Sequence, residues 1–316
     1  MGVCNMYFPY LRGRQFELIA LRELLEADKI SDKVMPIIEP VKPTSTLLKT
    51  LKTFTDKNRK VAVVYNPVVG DFESKLVELK NEESQVATEL TEILADNDNI
   101  IKAYIMKSEI IKEIQDKDDK SKYLIINVER DCLEDFLEVY DNCLPQYTLI
   151  PDDRAFKRVI SDTKILLEDC FKKRVRNVDY LECDDEFFTD NHLYYRNENF
   201  IGFADYSIVG EEYNESGFAP VAVAIHIVYF NDKQEARIHH FVSDSNEGTE
   251  DPAGKFGEAL DKLVMWCEAH SVTRTLGLSG FYECFETGKY PGLGTAKKLS
   301  IMHHLELMSS FLEDEK

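Results

Sequence analysis

"NFIGFADYS", residues 199–207, carries no charge from Phe200 to Ala204 and then stops on a carboxylate, Asp205. An apolar run this short fits a strand buried on both faces, as in a parallel sheet, with the acid marking where the chain leaves the apolar layer. The same form recurs along the chain. "MYFPYL" (6–11) ends before Arg12, "KVMPIIEP" (33–40) reaches Glu39, "KVAVVYNPVV" (60–69) contains Asn66, and "IIKAYIMKS" (100–108) contains Lys107. "KYLIINVER" (122–130) reaches Glu129, "YTLIPDD" (147–153) reaches Asp152, and "TKILLEDCF" (163–171) carries Glu168 and Asp169. With residues 199–207, the runs number eight.

Amphipathic segments separate them, with apolar residues at helical spacing, as in Leu18, Leu21, Leu24 and Leu25. Helices are predicted over 17–25, 46–54, 72–93, 109–114, 133–139 and 154–160. Strands alternating with helices eight times predict an α/β fold, a (β/α)8 TIM-like barrel. Beyond Asp205 the rhythm changes. "APVAVAIHIVYF" (219–230) and "EARIHHFVSD" (235–244) flank the turn-like "NDKQ", predicting a β-hairpin inserted after strand eight, within an insertion over about 212–255. Helices follow to the C-terminus. No linker interrupts the chain, so 1–316 reads as one elaborated barrel domain.

Lys and Arg number 38 against 58 Asp and Glu, a net charge of −20, which opposes unaided binding to duplex DNA. Seven cysteines without a C-x-x-C pair fit reduced thiols and a cytoplasmic location. No apolar run approaches the roughly 20 residues that span a bilayer, so no membrane role is expected.

Barrel active sites draw on several strand ends at one mouth. Glu39, Glu129, Asp205 and Glu168 are therefore candidate catalytic residues, and Glu39, Glu129, Asp152 and Asp205 candidate ligands for Mg²⁺ or Mn²⁺. In "IINVER", Asn127 and Glu129 share a face with Ile125, and Glu39 shares one with Met35 and Ile37, which would make the last inward positions polar. Arg12 and Arg14 around Gly13, with Lys107 and Asn66, could hold an anionic substrate, although Arg12 and Arg14 could equally neutralise Glu39 or Glu17. "GKYPGLGTAKK" lacks the order of a phosphate loop, so no nucleotide or organic cofactor is expected. Histidine is absent before His192. His226, within an apolar strand, reads as a core residue; His239 and His240 must face opposite sides, and His303 and His304 lack the spacing to chelate one metal. Ser207 has no histidine partner legible in the sequence.

"MYFPYLRGRQFELIALREL" (6–24), "KVMPIIEPVK" (33–42), "GFADYS" (202–207) and "KKLSIMHHLELM" (297–308) together resemble the beta protein family of phages and bacteria. Gly13 is followed by Arg14, Gln15 and Phe16 before Glu17, a departure from the family's first helix. The resemblance implies a barrel and a setting in antiviral defence or mobile-element cassettes; no catalytic residue carries over. Two functions are expected from these features. One is a metal-assisted phosphoester hydrolase. The other is a non-catalytic acidic subunit that binds a partner protein encoded nearby, such as a nuclease.

Overall fold

Each of the eight apolar runs supplies one strand of a single parallel sheet. The computed structural model describes residues 6–117, 119–214 and 221–314. Strands β1 (Tyr10–Leu11), β2 (Ile37–Ile38), β3 (Val61–Val64), β4 (Ile100–Ile105), β5 (Leu124–Ile126), β6 (Tyr147–Ile150) and β7 (Lys164–Glu168) pair in chain order. The next strand, β8 (Asp185–Thr189), lies in another sheet, and β7 pairs instead with β9 (Gly202–Asp205). Residues just ahead of β1 join the two ends. Phe8 N donates to Phe203 O at 2.9 Å and Phe203 N to Met6 O at 3.2 Å, while Tyr7 N reaches Lys33 O beside β2 at 2.8 Å. The result is a TIM-like α/β barrel.

Helices α1 (Gln15–Glu26), α2 (Ser45–Asp56), α3 (Phe72–Asn81), α4 (Gln85–Ala95), α5 (Ile111–Gln115), α6 (Leu133–Val139), α7 (Arg154–Val159) and α8 (Asn191–Tyr194) alternate with these strands. Local chemistry sets where they start. Thr44 accepts from Leu47 N at 3.2 Å to open α2, and Asp153 accepts from Ala155 N at 2.7 Å to open α7. The single helix predicted over 72–93 is two helices, because the chain turns at residues 82–84, where Glu83 takes φ +56°.

Alternate residues from every strand fill the interior, among them Tyr10, Ile37, Val64, Ile126, Leu167 and Ala204. Gly202 sits where β9 meets the closing segment. A Cβ there would stand 2.7 Å from Met6 O and 2.8 Å from the Phe8 ring, so the close approach of the two strands requires glycine.

The chain divides into two compact units. The barrel unit holds residues 32–169, 191–206 and the segment up to Leu18; the second holds 19–31, 170–190 and 207 onward. In the second unit β10 (Ala224–Phe230) and β11 (Ala236–Val242) form the predicted antiparallel hairpin, and β8 adds to β11 as a third strand. The sheet thus uses residues from before the eighth barrel strand as well as after it. Helices α9 (Pro252–His270), α10 (Leu276–Thr287) and α11 (Leu293–Asp314) complete this unit. Residues 215–220 of the expected insertion, including the first two of the expected hairpin, lie outside the described residues. Among the described residues no helix is long and apolar enough to cross a membrane.

Substituting Gly202→Ala should destabilise the barrel by about 1–3 kcal/mol, since backbone or the Phe8 ring must shift to admit the methyl. Urea unfolding of the variant tests this; an unchanged midpoint would mean that the strands separate freely at this point.

Candidate functional site

The alternation that puts Tyr10 and Ile37 inside the barrel carries Arg12 and Glu39 inside as well, just past the ends of β1 and β2. Gly13, at φ +61°, turns the chain immediately after Arg12; a Cβ there would stand 3.0 Å from Glu39 O. Arg12 is 8% exposed and Glu39 0%. Glu39 Oε2 takes an ion pair from Arg12 Nη1 and a hydrogen bond from the Tyr10 hydroxyl at 2.8 Å, while its Oε1 accepts from Val68 N at 2.8 Å. The Arg12 guanidinium lies 5.1 Å from the Tyr10 ring centroid and 5.2 Å from that of Tyr206. Burial works against the Arg12 charge, but Glu39 and the two phenols outweigh it and hold its pKa above the ordinary arginine value. Burial, reinforced by the Glu39 charge, pushes the Tyr10 hydroxyl well above its usual range, which keeps it a donor.

The other strand-end acids do not join Glu39. Ala204 and Tyr206 are interior residues, so Asp205 between them points outward, where the Tyr7 hydroxyl donates to it at 2.8 Å. In β5 the interior residues are Leu124 and Ile126, which turns Ile125 and Asn127 outward and reverses the face expected from the sequence. Glu129 is exposed and pairs with Lys107 at 3.7 Å. Asp152 is exposed and pairs with Lys157. Glu168 is exposed and accepts from Asn191 Nδ2 at 2.7 Å. Asn66 spends its side chain on backbone, donating to Ile105 O at 2.8 Å and accepting from Ile105 N at 2.9 Å, so it extends the β3–β4 ladder. Arg14 is partly buried ahead of α1. The donor set for Mg²⁺ or Mn²⁺ therefore does not fit: Glu39 is committed to an arginine, a tyrosine and a backbone N–H, and Asp205 faces away from it. Among the described residues no group of three or more His, Cys, Asp or Glu is placed to hold a metal ion.

A different constellation lies in the second unit. His226 on β10 and His240 on β11 are register partners, so their side chains share one face of the sheet, and their Nδ1 atoms are 2.7 Å apart. His240 Nε2 lies 3.2 Å from Glu186 Oε1 on β8. Arg174 Nη2 meets both Glu186 oxygens, at 3.3 and 3.1 Å, and Lys172 stands 3.4 Å from Oε2. Tyr180 packs on both imidazoles, with ring centroids 4.7 and 4.4 Å away. His226 forms part of the wall of a cavity of about 320 Å³ that is also lined by Lys173, Arg174, Lys297, Asn177, Ser300 and apolar residues such as Ile208 and Val223. Burial lowers the His226 pKa well below its ordinary value, helped by His240 and Lys297. Burial lowers that of His240 too, against the pull of Glu186.

His226 is thus a cavity residue as well as a strand residue, while His239 and His240 do face opposite sides. Ser207 proves to have a histidine partner: its hydroxyl lies 2.9 Å from His304 Nδ1, with both residues fully buried and Ser207 at φ +52°. His303 is held by Thr275 Oγ1 at 2.8 Å and Val228 O at 2.7 Å. A His at an odd polar position within "AIHIVYF", opposite a second His across a short turn, is the only trace of the His226–His240 pair in the sequence; Glu186 gives none.

Compared with known proteins, the chain matches no family model, no curated protein and no solved structure. The likeness to the beta protein family rests on the quoted residues alone.

Two outcomes follow. Glu39→Gln should cost about 3–5 kcal/mol in urea unfolding by leaving the Arg12 charge buried without its counter-ion, and Arg12→Met in the same chain should recover much of that loss; equal instability of single and double variants would refute the pairing. Second, His226, His240 and His303 all have lowered pKa values, the last about 4. The unfolded chain takes up those protons first, near pH 6.5, so stability present above that pH is lost as pH falls toward the folded values. The urea midpoint should drop between neutral and about pH 5.5, and a rise would contradict the burial of neutral imidazoles.

Proposed function

We propose that the second unit carries a binding and proton-exchange site for a small anion, one bearing a phosphoryl or carboxylate group. Lys173, Arg174 and Lys297 draw the negative charge, and His226 exchanges a proton with the bound molecule. The observation that carries this proposal is the placing of His226 on the wall of a cavity lined by three cations in a chain of net charge −20. Arg174 is shared with Glu186 and Lys173 with Glu212 at 3.2 Å, so an entering anion competes with these two carboxylates for the cations of the cavity wall. The burial that lowers the His226 pKa keeps its imidazole neutral near neutral pH, the state able to accept a proton. Ile208 and Val223 provide apolar wall for the uncharged part of the ligand.

A phosphoester lies within this chemistry. The residues offered to it are His226 and the three cations in place of Glu39, Glu129 and Asp205. A non-catalytic subunit docking a basic partner is the alternative that the net charge of −20 favours.

Inorganic phosphate, titrated by calorimetry, should bind the wild type, and Lys173→Met or Lys297→Met should weaken it at least about tenfold through loss of a charged contact. Lys107→Met, at the barrel mouth, should leave the affinity unchanged. Absence of binding, or loss only in the Lys107 variant, would overturn the assignment and leave the docking subunit.

A further inference from the structure

The hydrogen-bonding order of Glu186, His240 and His226 fixes which nitrogen of His226 carries a proton. Glu186, held between Arg174 and Lys172, is an acceptor, so the hydrogen in its 3.2 Å contact with His240 belongs to His240 Nε2. Neutral His240 then has no hydrogen left for Nδ1. The 2.7 Å contact between the two Nδ1 atoms needs one hydrogen, which must come from His226. His226 is therefore the Nδ1–H tautomer, and its Nε2 is a bare lone pair available to the cavity that the ring lines.

From this we propose that the site, read as an anion site above, selects anions that bring their own hydrogen-bond donor. Suitable ligands are a hydrogen-bearing phosphate or phosphomonoester, or a carboxylate with a neighbouring hydroxyl or amine. Glu186 and His240 are positioning residues, acting through His226. Lys173, Arg174 and Lys297 attract any anion, whereas the Nε2 lone pair accepts from a donor and repels an anion oxygen that has none. The same chain can move a proton without building charge in the cavity wall. The ligand O–H gives its proton to His226 Nε2, and the Nδ1 proton of His226 passes to His240 Nδ1. His240 becomes the imidazolium beside the Glu186 carboxylate, and the ligand keeps the electron pair of its broken O–H bond. Among the described residues, the charged and titratable groups around this chain include Lys297 from α11 next to His226, Lys173 with its partner Glu212, Arg174 and Lys172 from the loop before β8, His239 beside His240, and the Tyr180 ring against both imidazoles.

Phosphate and sulfate provide the test, because at mildly alkaline pH both are tetrahedral dianions and only hydrogen phosphate carries an O–H. Calorimetric titration of the wild type should show phosphate bound at least about tenfold more tightly than sulfate, the usual penalty for a buried acceptor left without its donor. Glu186→Gln, which can donate as well as accept, and His240→Phe should bring the ratio close to one while anion binding persists. Nitrogen-15 NMR of histidine-labelled wild type gives a second readout that requires no variant: His226 should show a protonated Nδ1 and an unprotonated Nε2. Equal affinity for the two ions, or a protonated Nε2, overturns the selectivity and leaves the anion site standing. Failure of both ions to bind overturns the anion site itself.

Discussion

A sheet of eight parallel strands has two exposed edges unless something joins them, and here the junction is made by the few residues before β1. The bonds from Phe8 N to Phe203 O and from Phe203 N to Met6 O satisfy both edges at once, removing a row of open donors and acceptors that would otherwise invite another chain. The closure also fixes the rotation of β1 and β9, and with it the faces taken by their side chains. Phe8 and Tyr10 go in and Tyr7 goes out; Ala204 and Tyr206 go in and Asp205 goes out. The acid that ends β9 is buried as the acceptor of Tyr7, the residue that bridges to β9 at Phe203.

At the barrel mouth the same geometry brings two opposite charges together under two aromatic rings. The Arg12–Glu39 pair, with Tyr10 and Val68 N completing the carboxylate's shell, is satisfied at nearly every lone pair. A pair of that kind specifies which strand ends stand side by side more than it adds net stability, because desolvation offsets much of the attraction. It also closes that part of the mouth to chemistry: a carboxylate committed to an arginine and two further donors has little left for a cation.

The second unit shows the opposite use of buried polar groups. Glu186, His240 and His226 come from three strands of one antiparallel sheet and line up because cross-strand partners share a face. Their hydrogen bonds are ordered by the one member that can only accept. Imidazoles with pKa values lowered by burial, ending at a cavity with cations, are the sort of perturbed titratable group that marks functional sites. The Ser207–His304 contact holds a serine in a left-handed backbone conformation immediately before Ile208, a cavity-wall residue.

The sequence by itself determined the eight barrel strands, because a parallel strand covered on both faces must be a short uninterrupted apolar run, and each run ends where the chain reaches polar surroundings. It determined the hairpin for a similar reason, through two β-rich runs about a polar turn. The same double burial hid the strand faces. With Ile125 and Ile126 both apolar, nothing local says which looks inward, and a one-residue difference moves Asn127 and Asp205 to the other side. Only the tertiary structure decided β8, whose "DEFFT" lies in an acid-rich stretch and becomes a strand because β11 offers it an edge. Only the tertiary structure, too, set Glu186 within reach of His240 across 54 residues of chain and His226 opposite His240. A hydrogen-bonded chain of side chains has no sequence period, since its members are neighbours through sheet pairing and not through spacing along the backbone.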